Sequence, residues 1–122
     1  MKKIITVFLI IFTVQYLSGD VFVKGININQ EPEVIYIKFR AENKLLSKKL
    51  YAQVDYGRED LRKYAFDMYI TEGESPKKKK VFYSVIEILN FMVKNGWEYI
   101  DSFLISKGKG GIYHFLMKKK DI

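Results

Sequence analysis

The sequence predicts an α+β domain: a single antiparallel sheet of four to six strands with one main helix, about residues 85–95, packed on one face. Two observations lead to this fold class. Segments rich in β-branched and aromatic residues alternate apolar and polar positions, as half-buried strands do. One amphipathic helix follows them, and two more strand segments joined by a glycine-rich connection come after it. Cysteine is absent, so packing and not disulfides must hold the fold.

The first half of the chain carries three strand patterns. Val21–Ile28 is predicted as a short edge strand, because Pro32 interrupts the chain after it. Glu33–Arg40 and Lys48–Tyr56 alternate with a period of two residues. In the first of these strands the alternation directs Ile35, Ile37 and Phe39 to the core. In the second, Leu50, Ala52, Val54 and Tyr56 alternate with Tyr51, Gln53 and Asp55, the period of a half-buried strand.

The helix is marked by chemistry at both ends. Ser84 is a good N-cap, and Glu87 three residues later completes a capping box. Lys94 lies in the last turn, where the helix dipole favours a cation, and Gly96 suits the left-handed position that ends a helix. The apolar stripe consists of Val85, Ile88, Leu89, Met92 and Val93.

The remaining segments predict further strands and turns. In chain order they are a strand over Phe66–Thr71, a turn over Glu72–Pro76, a segment Lys80–Tyr83 that pairs back, a strand over Trp97–Ser106, a hairpin loop over Lys107–Gly111 and a strand over Ile112–Lys118.

The N-terminal segment has the order of a secretory signal peptide. Lys2–Lys3 form a positive start, Ile4–Val14 an apolar core, and Leu17–Gly19 supplies small residues near a cleavage site. The core is shorter than the roughly 20 apolar residues of a membrane span. We predict a signal peptide over residues 1–19 and a single periplasmic or secreted domain over residues 20–122. An uncleaved signal anchor and a hydrophobic first strand are the alternatives.

The charge of the chain points to anionic partners. The net charge of +7 falls to +5 without Lys2 and Lys3. In an exported protein this excess favours an acidic glycan or another component of the cell envelope and makes nucleic acid an unlikely partner. Ordinary solubility charge is the alternative.

Candidate ligand-binding residues follow from this charge. They are Lys77, Lys78, Lys79 and Lys80 next to a turn, Lys107 and Lys109 in the glycine-rich loop, and Trp97 as a stacking platform for a sugar. The competing interpretations are a solvated lysine run, a mobile loop tip, and a tryptophan that caps the core between helix and sheet.

Two other functions stay open. A small periplasmic hydrolase would use Asp55, Asp101, Glu98 or His114. Glu98 and Asp101 are three residues apart and should point to opposite faces of a regular strand, which argues against a paired acid and base. A self-assembling protein would use an exposed sheet edge, with Val21–Ile28 as the candidate. The sequence predicts no metal or cofactor site, because His114 is the only histidine. A non-enzymatic binding or interaction module is the leading hypothesis.

The chain also resembles a family of small exported proteins of unknown function from Bacteroidetes-type bacteria, over nearly all of the mature chain. In that family a helix ends in Gly-Trp-Glu and a β-hairpin follows, which implies the same fold and an export route but no catalytic or binding residues. The matching segments are Ile26-Asn27, Pro32-Glu33-Val34, Leu46-Ser47-Lys48-Lys49, Val54-Asp55-Tyr56-Gly57, Leu89-Asn90-Phe91-Met92, Asn95-Gly96-Trp97-Glu98-Tyr99 and Tyr113-His114-Phe115-Leu116-Met117-Lys118-Lys119. Arg58–Lys80 matches least well.

Overall fold

The computed structural model describes residues 19–43, 47–57, 68–107 and 110–120. Its elements are β1 (Phe22–Val23), β2 (Ile26–Asn27), a short 3-10 helix (Ile28–Gln30), β3 (Tyr36–Asn43), β4 (Leu50–Asp55), α1 (Val85–Lys94), β5 (Trp97–Lys107) and β6 (Gly110–Lys119). The predicted α+β class is confirmed. The predicted signal peptide lies outside the described residues except for Gly19, as does the start of the strand predicted at Phe66.

The strands form two antiparallel sheets, so the prediction of a single sheet of four to six strands is wrong. A four-stranded sheet has the order β4-β3-β6-β5, and β1 and β2 form a separate two-stranded sheet. The side of β4 that faces away from β3 is partly covered by single bridges from Gln53 to Tyr69 and from Leu50 to Phe82. The described part of the predicted strand Phe66–Thr71 therefore pairs only at isolated positions.

The N-terminal segment folds back on itself and does not form one edge strand. Lys24 and Gly25 both have positive φ values, 50° and 80°, which make the tight turn between β1 and β2. Val23 also bridges to Ile70, and Val21 is fully buried. The prediction of an exposed edge at Val21–Ile28 is therefore wrong. β1 pairs with β2 on one side and with the segment around Ile70 on the other, where Lys24 N donates to Tyr69 O (3.0 Å) and Thr71 N donates to Phe22 O (2.8 Å).

The core lies between the four-stranded sheet and α1. Ile37 and Phe39 of β3 are buried there with Ile88 and Met92 of the helix, as their alternation predicts. Ile35 was expected in the same row but is 51% exposed. Ile35 O still accepts a hydrogen bond from Lys119 N (2.7 Å), but the residue lies just before the first residue of β3, at the end of the buried row.

The ends of α1 follow the predicted capping. Ser84 Oγ accepts a hydrogen bond from Glu87 N (3.1 Å), and Glu87 Oε2 accepts one from Tyr83 N (3.1 Å). Gly96 has a φ of 91°, the left-handed conformation that ends the helix. Of the described helices, none is long and apolar enough to cross a membrane.

Replacing Ser84 by alanine should lower the free energy of unfolding by about 1 kcal/mol, because the Glu87 N–H loses its acceptor. Urea unfolding followed by circular dichroism measures the change. Ser106→Ala, an exposed serine in β5, is the control and should stay within about 0.5 kcal/mol of wild type. Equal values for the two variants would contradict the capping role.

Asn29 connects three separate parts of the fold. Its Nδ2 donates to Gly19 O (3.0 Å) and to Asn95 O at the end of α1 (2.7 Å). Its Oδ1 accepts a hydrogen bond from Trp97 Nε1 (2.8 Å), which satisfies the polar atom of a ring that is only 1% exposed. The amide therefore fixes the N-terminal segment, the helix end and the first residue of β5 against one another.

Lys119 closes the same region from β6. Its Nζ donates to Asn29 O (3.3 Å) and Glu31 O (2.9 Å) and lies 5.9 Å from the centre of the Trp97 ring. Partial burial lowers the pKa of Lys119 below its usual value, and the negative charge of Glu31 opposes that shift. The lysine therefore acts as a tether between segments.

A β-bulge in β5 changes which faces its carboxylates occupy. The pairing with β6 shifts between Tyr99 and Asp101, and Ile100 is the extra residue. Glu98 pairs with Lys118 and Asp101 with Leu116. Partners two residues apart on β6 share a face, so Glu98 and Asp101 lie on the same face of the sheet. The expectation of opposite faces is wrong, because it assumed a regular strand.

Candidate functional site

The four consecutive lysines do not form one patch. Lys77, Lys78 and Lys79 are exposed, whereas Lys80 is half-buried and faces the helix. Lys78 Nζ forms an ion pair with Glu72 (3.2 Å), and Lys79 Nζ lies 4.0 Å from the centre of the Tyr69 ring. Because Lys79 pairs with Thr71 as in a strand, Lys79 and Lys80 point to opposite sides. Of these four lysines, Lys80 is the one that lines the groove between α1 and the segment that precedes it.

This groove has a volume of about 390 Å³. Its lining residues are Lys80, Phe82, Ser84, Ile86, Glu87, Asn90, Phe91 and Lys94. The lining residues that belong to α1 are three or four positions apart, so they lie next to one another on one face of the helix and form one wall of the groove. We call this surface the helix groove.

The helix groove combines two cations with an apolar floor. Lys80 Nζ lies 5.0 Å from the centre of the Phe91 ring, close enough for a cation–π interaction. Phe91 packs edge-on against the buried Phe82 (5.5 Å between ring centres), so the floor is fixed. Lys94 lies one helical turn beyond Asn90, and both are exposed. An amide and two ammonium groups therefore border a surface on which a ring could rest.

The acidic member of the helix groove is already engaged. Glu87 Oε2 accepts the hydrogen bond of Tyr83 N as part of the helix cap. A carboxylate held in this way faces the start of the helix and accepts a hydrogen bond from a backbone N–H. The remaining charged groups of the groove, Lys80 and Lys94, are both positive, so the chemistry of the groove suits an anion.

The other predicted ligand-binding residues do not join the helix groove. Trp97 is buried and hydrogen-bonded to Asn29, so its ring has no face for a sugar, and the interpretation as a core residue agrees with the structure. Lys107 ends β5 at the tip of the hairpin, far along the strand from the helix end at Asn95. Lys109 lies outside the described residues.

The carboxylates and histidine of the hydrolase hypothesis share the outer face of the sheet, the face away from α1. Asp55 and Asp101 lie in one row across β4, β3, β6 and β5, at opposite edges, which places them about 14 Å apart at three strand spacings. His114 is buried with its ring stacked on Phe103 (5.6 Å between ring centres). All three carboxylates, including Glu98, are exposed, and none of these four residues lines the helix groove.

Comparison of the chain with protein families, with curated proteins and with solved structures gives no match. The functional interpretation therefore depends on the geometry of the described residues.

Sequence reasoning identified Lys80 but missed the residues that give it a site. Lys94 was singled out only for its place in the last turn of the helix, and Asn90 and Phe91 only as part of a segment that resembles a protein family. The available signal was their spacing from Glu87 at three, four and seven residues, which is typical of a single helix face. The spacing does not reveal the segment that forms the other wall of the groove. Phe82 lies against this helix face because it pairs with Leu50 of β4, a residue distant in sequence.

Proposed function

We propose that this protein is exported and acts outside the cytoplasm as a small non-enzymatic binding module for an anionic glycan or another anionic component of the cell envelope. The helix groove is the binding site in this proposal. The N-terminal order of positive, apolar and small residues supports export, and the resemblance to small exported proteins of Bacteroidetes-type bacteria agrees with it.

One observation carries the binding proposal. Lys80 and Lys94 flank a groove whose floor is Phe91 and whose rim includes Asn90. An acidic sugar needs the same set of groups: cations for its carboxylate or sulfate, an amide for its hydroxyls, and an apolar surface for its ring. Lys80 already lies on the Phe91 ring, so little side-chain freedom remains to be lost when an anion binds.

The groove supports binding better than catalysis. Glu87, its acidic member, is held by the backbone N–H of Tyr83, and the groove contains no histidine. A general acid and base pair would need two titratable groups directed at one reacting atom. The cations can instead fix the position of a charged ligand without reacting with it.

The expected result is that Lys80→Ser/Lys94→Ser binds polygalacturonate about tenfold more weakly than wild type, since each lost ion pair at an exposed site contributes up to about 1 kcal/mol. The protein is expressed from its full-length sequence, and binding is measured by affinity electrophoresis and by retention on the immobilised polymer. Dextran, a neutral polysaccharide, is the control polymer and should not retain the protein.

The matched control is Lys38→Ser/Lys118→Ser, which removes two charges from the outer face of the sheet and leaves the helix groove intact. This variant should bind within about twofold of wild type. If both double variants lose retention equally, net charge and not the groove attracts the polymer, and the proposal fails. A wild-type protein that ignores the polymer at low salt also contradicts it.

A further inference from the structure

β5 is an eleven-residue edge strand at the end of the order β4-β3-β6-β5. Within the described part of the chain, β6 is its only strand partner. Its second half is apolar and accessible: Phe103 is 41% exposed and Leu104 is 53% exposed. Long apolar edge strands of this kind recruit another strand.

The hydrogen bonds around β6 determine which backbone groups of β5 point outward. Lys119 N donates to Ile35 O (2.7 Å), and Lys120 N donates to Gly96 O (2.8 Å), so odd-numbered residues of β6 bond towards β3 and even-numbered ones towards β5. The partners of the even-numbered residues in β5 are Asp101, Phe103, Ile105 and Lys107. The N–H and C=O groups that point away from the sheet therefore belong to Ser102, Leu104 and Ser106.

The first half of this edge is protected and the second half is not. The bulge at Ile100 disturbs the line of the strand, and Ser102 N donates to the side chain of its neighbour, Asp101 Oδ1 (2.8 Å). Bulges and charges are the usual devices that prevent edge pairing. From Phe103 to Ser106 the described chain has neither device.

We propose that the edge of β5 pairs with β5 of a second copy of this chain, antiparallel about a twofold axis at Leu104, to give an eight-stranded sheet. Side chains directly opposite each other in an antiparallel pair lie on the same face of the sheet. Neighbouring residues of one strand lie on opposite faces, so the twofold axis must pass at a residue and not between two residues. Placed at Leu104, it joins outward-pointing groups to one another: Leu104 to Leu104, and Ser102 to Ser106. Neither the helix groove nor its ligand takes part.

The charges of β5 select this register among the possible ones. With the axis at Leu104, Asp101 stands opposite Lys107 of the second copy, and the symmetry creates this pair twice. Phe103 stands opposite Ile105, an aromatic and β-branched combination that stabilises sheets. In the dimer, Ser102 N donates to the carbonyl of Ser106 of the second copy and no longer to Asp101 Oδ1, so the Asp101 carboxylate becomes available for a new partner. Shifting the axis to Phe103 or Ile105 removes both charge pairs.

Charge reversal tests the register. The protein is expressed from its full-length sequence, and its mass is followed by light scattering and analytical ultracentrifugation over a wide concentration range. Wild type should form a dimer. Asp101→Lys and Lys107→Asp should each weaken dimerisation by about tenfold or more, because two attractive pairs become repulsive. Asp101→Lys/Lys107→Asp restores opposite charges and should return the dimer to within a few-fold of wild type.

A proline variant tests the strand pairing itself. Leu104→Pro removes an N–H that points away from β6, so the described sheet keeps all of its own hydrogen bonds and circular dichroism should stay close to wild type. The central pair of the dimer is lost, and the variant should be monomeric. The proposal is overturned if wild type stays monomeric at the highest concentration, if Leu104→Pro folds and still dimerises, or if the double charge reversal does not recover the dimer.

Discussion

Replacing Trp97 by alanine should lower the free energy of unfolding by about 3–5 kcal/mol, the cost of deleting a large buried aromatic side chain. The ring fills the corner where α1 ends and β5 begins, and its Nε1 donates to Asn29 Oδ1. Alanine leaves a cavity and an Asn29 oxygen without its donor. Urea unfolding followed by circular dichroism is the measurement, because the variant has lost its only tryptophan fluorophore.

Two further variants separate packing from hydrogen bonding at this corner. Trp97→Phe keeps a ring and should cost about 1–2 kcal/mol, part of it from the lost Nε1 donor. Asn29→Ala should cost about 2 kcal/mol, since Gly19, Asn95 and Trp97 lose a partner together. Tyr99→Ala is the control on the same strand, where the side chain is exposed, and should cost less than about 1 kcal/mol. If Trp97→Ala is no worse than this control, the proposed role of the corner is wrong.

Phe39→Ala should be the second large effect, again about 3–5 kcal/mol. Phe39 is fully buried at the centre of β3, and its ring stacks on Phe115 of β6 with 5.0 Å between centres. The central position leaves little freedom for neighbours to collapse into the space, because strands on both sides are hydrogen-bonded to β3. The same unfolding experiment measures the effect.

Tyr36→Ala is the matched control for Phe39. It removes an aromatic ring from the same strand, but from the outer face, where the ring is exposed and its charged neighbour is Lys118. The loss should stay within about 1 kcal/mol. A control that destabilises the protein as much as Phe39→Ala would show that the buried row of β3 does not dominate the core.

Features set by residues close in sequence could be predicted. The helix between Ser84 and Gly96 was predicted with its cap and its last turn, because capping bonds join residues three or four positions apart. Of its predicted stripe, Ile88 and Met92 are buried, whereas Val93 is 55% exposed. The alternation of β4 was predicted as well, and the set Leu50, Ala52 and Val54 is the one that packs in the core. In the candidate site, the same local reasoning found Lys80 and placed Asn90 and Lys94 on the helix.

Features set by a partner strand could not be predicted. The alternation in Glu33–Arg40 does not say where the core ends along the strand, so Ile35 was placed in the core although it is 51% exposed. The bulge at Ile100 is a mismatch in length between two paired strands, and neither strand alone reveals it. That one extra residue brings Glu98 and Asp101 to the same face.

The sequence by itself determined the α+β class, the helix with its caps and the strand segments, because each depends on backbone bonds and side-chain periodicity within a few neighbouring residues. Only the tertiary structure decided that the described strands form two sheets, that Trp97 is bonded to Asn29, and that Lys80 and Lys94 border one groove. It also decided that β5, and not Val21–Ile28, is the strand that pairs on one side only within the described part of the chain. These depend on which distant segments pack together, and that choice comes from burying the whole apolar surface at once, a property that no short segment possesses.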